Sequence, residues 1–231
     1  MLALMLRLLA CFAVGMVLDL FTRSAFPATY ERWGLHVIIV TLSLQGSALV
    51  CIALFLREHG VTWPQAFGFN NARLRALGRG LLVGVVVIPG TMIIHFAYVN
   101  LLKLLHYPVE DQTAVELLRE AHSAGKILYM GFATILLVPV AEEVFFRGIL
   151  YPLLKRTGYP QLALWGAAAI FAGIHLDVAV FVPLVFLAVM LTLLYEWTNN
   201  LLACIVVHSL FNTTNFVMLF LLDNPGRTPA N

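Results

Sequence analysis

Charge is scarce in this 231-residue sequence: Asp, Glu, Lys and Arg make up 11% of it, against 61% hydrophobic residues and a mean hydropathy of +0.91. Soluble domains carry about 25% charged residues, so an ordinary water-solvated surface is excluded. The net charge is +2, with Lys and Arg dispersed and no basic stripe, so nothing points to nucleic acid and no such partner is expected. Cysteine is also sparse: Cys11, Cys51 and Cys204 all lie in apolar stretches with no C-x-x-C spacing. Neither a disulfide framework nor a thiolate zinc site is therefore expected. The zinc-peptidase pattern H-E-x-x-H does not occur, and no internal or inverted repeat is visible.

What is abundant is the long apolar run. Seven stretches approach the roughly 20 residues that a bilayer-crossing helix needs. They are Leu2 to Leu20, Leu35 to Leu56, Gly80 to Leu102, Ile127 to Leu154, Gln161 to Leu176, Val178 to Trp197 and Leu201 to Leu222. The expected fold is all-α: a single polytopic transmembrane domain over 1–231, with about seven helices (eight with one more segment) enclosing a water-accessible cavity. The fifth stretch is the shortest. Leu8-Leu9-Ala10-Cys11 resembles a lipoprotein cleavage site, but the run continues to Leu20, which favours an uncleaved first helix. Between Lys103 and Lys126, the residues Val115, Leu117, Leu118 and Ala121 fall near helical spacing, as a short surface helix would. Basic residues divide almost evenly between the two faces, so the positive-inside rule does not orient the chain.

Polar residues inside these runs are rare and patterned. Ionisable groups at membrane depth are costly and mark function when they occur. Glu143 and Arg147 are four residues apart, as are Phe171 and His175, and His208 and Asn212, so each pair is read onto one helix face. Taking the turn near Thr157 to Pro160 as one membrane face, helix rise puts Glu142 and His175 about 22 Å deep. The same rise puts His208 at about 13 Å and Asn212 at about 18 Å from the turn near Asn199 and Asn200. All four can surround one cavity, nearer the face that carries the 103–126 connection, Asp177 and the C-terminus.

The residue types suggest hydrolysis of an acyl bond. A carboxylate beside a His can take a proton from water, while a second His with an Asn amide offers donors for an oxyanion. Arg147 is read as the ion-pair partner of Glu143, leaving Glu142, rotated by about 100°, to face the cavity. Pro139 removes a backbone hydrogen bond just upstream and can bend the helix or open room for water.

The patterns Glu142-Glu143-x-x-x-Arg147, Phe171-x-x-x-His175 and His208-x-x-x-Asn212, in this order, resemble the motifs of the CPBP family of intramembrane proteases, which includes the CAAX prenyl endopeptidases and bacterial Abi proteins. The resemblance covers about residues 127–220, the expected catalytic helix core. It implies peptide-bond hydrolysis in a conical, water-accessible cavity, with Glu142 and His175 activating water, His208 and Asn212 stabilising the oxyanion, and Glu143, Arg147 and Phe171 in support. The implied partners are a membrane-anchored protein or peptide substrate and the lipid bilayer. The substrates it allows are a prenylated C-terminal peptide, a bacteriocin or pheromone precursor, or a C-terminal anchor helix. The compact chain and short connections suggest a prokaryotic plasma (inner) membrane. No cofactor is expected.

Several alternatives compete. Glu142, His175 and His208 could form a three-ligand catalytic zinc site. The same groups could serve as the relay of a proton-coupled transporter, or the cavity could belong to a non-catalytic immunity protein that binds membrane peptides. Asp19, Gln45, His95, Asn100, Glu196 and Asn215 are read mainly as links between helices or interface residues, with His95 and Asn215 as candidate cavity lining.

Overall fold

In lipid every backbone N–H and C=O must find a partner within its own segment, so long apolar runs fold as helices. The computed structural model describes residues 2–27, 29, 35–69, 73–109, 115, 118, 121 and 123–222. Each of the seven expected stretches forms a helix. Helix α1 is Leu2–Ala25, and α2 comprises Leu35–Thr41, a π-helical turn Leu42–Gly46, and Ser47–Glu58. The short α3, Trp63–Phe67, is opened by Thr62 and Gln65, whose side chains cap it reciprocally. Helix α4 is Arg73–Leu104, and α5 runs from Ala124 to Lys155. Helices α6, α7 and α8 are Pro160–Gly173, Val178–Thr198 and Leu201–Leu222. Among the described residues six helices are long and apolar enough to cross a membrane. Helix α6, at 14 residues, reaches only about 21 Å.

Two π-helical turns interrupt α5, Ala133–Leu137 and Phe146–Leu150, so the α-helical piece Val138–Phe145 lies between them. Pro139 sits at the start of that piece, where its missing N–H breaks the hydrogen-bond ladder running back into the first π turn. A π turn inserts an extra residue and rotates the rest of the helix about its axis, and such turns often occur at functional sites. Here they bracket Glu142 and Glu143.

Helix α5 is wedged between two apolar clusters. On one side Phe146 joins Phe171 and Ala172 of α6, Leu187 and Leu191 of α7, and Cys204 and Val207 of α8. On the other, Val144 joins Leu4 of α1, Cys51, Ile52 and Leu56 of α2, Phe67 and Leu201. Small residues such as Ala168, Ala188 and Ala203, each no more than 1% exposed, let the backbones approach closely, which is how helices associate without a hydrophobic driving force. Gly68 marks the tightest corner. It has φ +75°, and a Cβ there would lie 2.1 Å from the Asn199 carbonyl oxygen, so only glycine lets the turn after α3 seat on the turn between α7 and α8.

The short surface helix expected between Lys103 and Lys126 falls mostly outside the described residues, Leu117 included. Leu118 and Ala121 are buried against Met130, together with Ile127, Tyr129, Phe216 and Leu219.

Candidate active site

The expected pairing of Glu143 with Arg147 is present. The Arg147 guanidinium donates to Glu143 Oε1 at 2.6 Å and to the Ala188 carbonyl of α7 at 3.0 Å, with the two side chains 2% and 0% exposed. Arg147 also stands over the Phe171 ring, Cζ 4.9 Å from its centroid. A guanidinium in a dry interior thus meets a carboxylate, a carbonyl and a π face, the groups that offset its desolvation.

His208 joins the two glutamates. Its Nδ1 donates to Glu143 Oε1 at 2.8 Å, and its Nε2 lies 3.7 Å from Glu142 Oε2. The expected difference in depth between Glu142 and His208 is therefore absorbed by the packing of α8 on α5. Glu142 is 13% exposed and its Oε2 makes no hydrogen bond, whereas Glu143 is fully enclosed. Adjacent positions about 100° apart give one carboxylate held by Arg147 and another open to a further donor.

Phe171 is the hub of the aromatic packing. Its centroid lies 5.1 Å from that of Phe146, 5.2 Å from His175 and 5.9 Å from His208. His175 differs from expectation in one respect. Helix α6 ends at Gly173, and His175 sits in the turn beyond it rather than inside the helix. Its Nδ1 bonds the Phe171 carbonyl at 2.8 Å. A carbonyl only accepts, so Nδ1 carries the proton and Nε2 is left with a lone pair. The turn is pinned from the other side by the Asp177 carboxylate, which caps α7 by accepting from the Ala179 N–H at 2.8 Å. Through Phe171, His175 is linked to His208, the ring that approaches Glu142.

Asn212 lies one turn beyond His208, and its Nδ2 donates to the Thr134 carbonyl of the first π turn at 2.8 Å. One amide proton is spent on joining α8 to α5, leaving the second and the amide oxygen. Ser209, beside His208, has a buried hydroxyl without a partner. The sequence offered no sign of Thr134, Ala188 or Ser209 as site neighbours, because two act through backbone carbonyls and the third is one small hydroxyl in an apolar run. His95 and Asn215, the candidate lining residues, are both exposed, and the Asn215 amide turns back to the Phe211 carbonyl. His95 lies one turn beyond the buried Thr91 and Asn215 two turns beyond the buried His208, each in line with its helix's packed face.

The zinc alternative needs Glu142, His175 and His208 to converge as ligands. Among the described residues no group of three or more His, Cys, Asp or Glu side chains is arranged to hold a metal ion.

Residues 124–214 match a family model described as type II CAAX prenyl endopeptidase Rce1-like, in agreement with the resemblance read from the three motifs, all of which lie inside the match. The chain is also similar to a Bacillus subtilis (strain 168) protein, "Uncharacterized protein YpbD", at 27% identity over 139 residues, which is 58% of this chain and 64% of that protein. No solved structure matches.

Proposed function

We propose that this integral membrane protein is an intramembrane endopeptidase of the CAAX-protease type, and that the site between α5, α6 and α8 hydrolyses a peptide bond in a membrane-anchored protein or peptide. The observation that carries the reading is His208 bridging two glutamates of unequal status: Glu143, whose Oε1 takes hydrogen bonds from both Arg147 and His208, and Glu142, whose Oε2 takes neither. A purely structural cluster needs one carboxylate for one guanidinium. The second is an uncompensated acceptor in a water-poor interior, a position suited to removing a proton from water.

In this mechanism Glu142, with the Nε2 lone pair of His175, activates the water. The remaining N–H of Asn212 and the Nε2–H of His208 in its doubly protonated form, its orientation fixed by the Nδ1–H bond to Glu143, stabilise the oxyanion. Glu143, Arg147 and Phe171 hold that imidazole in place. No bound metal is required, and the chain acts on its substrate within the bilayer. Helices α5 to α8 over 127–220 form the catalytic core of a single transmembrane domain.

The test is mass spectrometry of membrane peptides from cells carrying the wild-type or the Glu142→Gln protein. New C-termini that appear only with the wild type identify the substrate and its cleavage site. Identical peptide profiles under full expression of both proteins would contradict the proposal.

A further inference from the structure

Arg7 pairs with Glu58, Lys155 pairs with Glu196, and Gly68 seats on Asn199, so α2, α5 and α7 end, and α4 and α8 begin, on one membrane face. Glu58 and Glu196 are the acids that the sequence supplies to that face, and both are taken. Among the described residues none of its five other cations, Arg57, Arg73, Arg75, Arg79 and Arg156, meets a carboxylate. Arg73 gives its Nε to the Phe69 carbonyl at 2.9 Å. Arg75 and Arg79 stand four apart on α4, a like-charge pair on one helix face, and neither side chain has a hydrogen bond among the described residues.

What Arg79 does touch is an aromatic ring. Its Cζ lies 4.8 Å from the ring centroid of Trp197, the last residue but one of α7. Eleven residues further along α4, Gly90 meets α7 again: a Cβ there would lie 3.5 Å from Phe186, which precedes Trp197 by the same number. Eleven residues are about three turns, so each helix turns one stripe to the other over about 16 Å. Between the two contacts the stripes stay open. Leu82 and Val86 on α4 are 67% and 71% exposed, and Leu193, one turn below Trp197 on α7, is 46% exposed. The two helices thus flank a groove that is cationic and aromatic at the membrane surface and aliphatic beneath it.

A guanidinium over an indole still has five N–H donors to satisfy. The protein offers this pair no anion, so the partner comes from the surroundings. A phospholipid matches both ends of the groove. Its phosphate accepts from planar guanidinium forks, its acyl chain lies on aliphatic side chains, and Trp197 stands at headgroup level as interfacial tryptophans do. Two adjacent cations without a carboxylate favour a lipid of net negative charge over a zwitterion. We propose that the groove between α4 and α7 binds an anionic phospholipid, its phosphate held by Arg75 and Arg79 beside Trp197 and one acyl chain along Leu82, Val86 and Leu193. None of these residues belongs to the site between α5, α6 and α8, so the proposal stands apart from the peptidase reading.

The experiment places the full-length protein in phosphatidylcholine vesicles containing phosphatidylglycerol, with bromine atoms on the acyl chains of one lipid or the other. Quenching of Trp197 fluorescence is read as the difference between each protein and the same protein carrying Trp197→Phe. Brominated phosphatidylglycerol should quench Trp197 well beyond its mole fraction, and less so at high salt. Arg75→Gln together with Arg79→Gln should remove the preference, about 5-fold for each arginine. Arg75→Lys with Arg79→Lys should keep most of it, since the charge remains. Lys103→Gln, at the other end of α4, should leave it unchanged. Three results would overturn the proposal: quenching by either lipid in simple proportion to its mole fraction, a preference that survives the loss of both arginines, or a preference abolished by millimolar inorganic phosphate, as a site for free anions would give.

Discussion

Helices α1 and α2 and helices α5 to α8 are all apolar, and each group carries one exposed ion pair, but among the described residues only the second group encloses one. Over their most apolar windows, α1 is 6% buried and α7 39%. In the N-terminal pair the Arg7–Glu58 bridge is open to solvent, with side chains 42% and 49% exposed, and the Asp19–His36 contact at 3.0 Å is half-buried. In the C-terminal group Glu143, Arg147 and His208 form a continuous polar chain whose side chains are no more than 4% exposed. Exposed pairs can be lost cheaply. The enclosed chain is stable only as a complete set, since removing one member strands another charge where water cannot reach it.

The largest stability effect should come from breaking that set. Arg147→Ala leaves Glu143 buried without its partner and should cost about 3 to 5 kcal/mol, read as a large drop in the melting temperature of the purified protein. A melt close to that of the wild type would mean that Glu143 is compensated elsewhere, and the contrast between the two regions would fail.

Next comes His208→Ala, which removes the imidazole between the glutamates. As the loss of one oxyanion donor it should lower kcat about 10²- to 10³-fold. Metal content by elemental analysis should be the same in the variant and the wild type, and chelation should leave wild-type activity intact. One equivalent of zinc that disappears with His208→Ala or His175→Ala would turn the mechanism into a metal-dependent one at the same site.

The smallest effect belongs to the N-terminal pair. Arg7→Ala breaks an exposed bridge and should shift stability by about 0.2 to 1 kcal/mol, less at high salt, with activity unchanged. A loss as large as that of Arg147→Ala would show that α1 carries part of the framework of the site.

The sequence could show this contrast only in part. The Glu143–Arg147 pair was legible because i and i+4 residues meet on any helix, and the sharing of one cavity because helix rise bounds depth, although that rise set His208 shallower than Glu142. The shortness of α6 was visible in the length of its apolar run. That His208 would hold Glu143 as well as approach Glu142 was not visible, since a contact across 65 residues depends on how α8 rotates against α5. The bond from Asn212 to Thr134 was hidden for another reason: every residue has a carbonyl, and a π turn that frees one has no sequence signature. His175 read as helical because no proline precedes it, yet its own imidazole ends the helix by bonding the Phe171 carbonyl. That His95 and Asn215 are exposed was hidden too, since polarity in a span does not say whether a neighbouring helix covers the residue.

The central claim is that adjacent glutamates divide the work, Glu143 for structure and Glu142 for proton transfer. It is tested most directly by measuring kcat and melting temperature together on purified Glu142→Gln. The amide is near-isosteric and cannot accept the proton of water, so activity should fall at least about 10²- to 10⁴-fold while the melt stays that of the wild type. Substantial turnover, or a melting temperature that falls as it does for Arg147→Ala, would contradict the account.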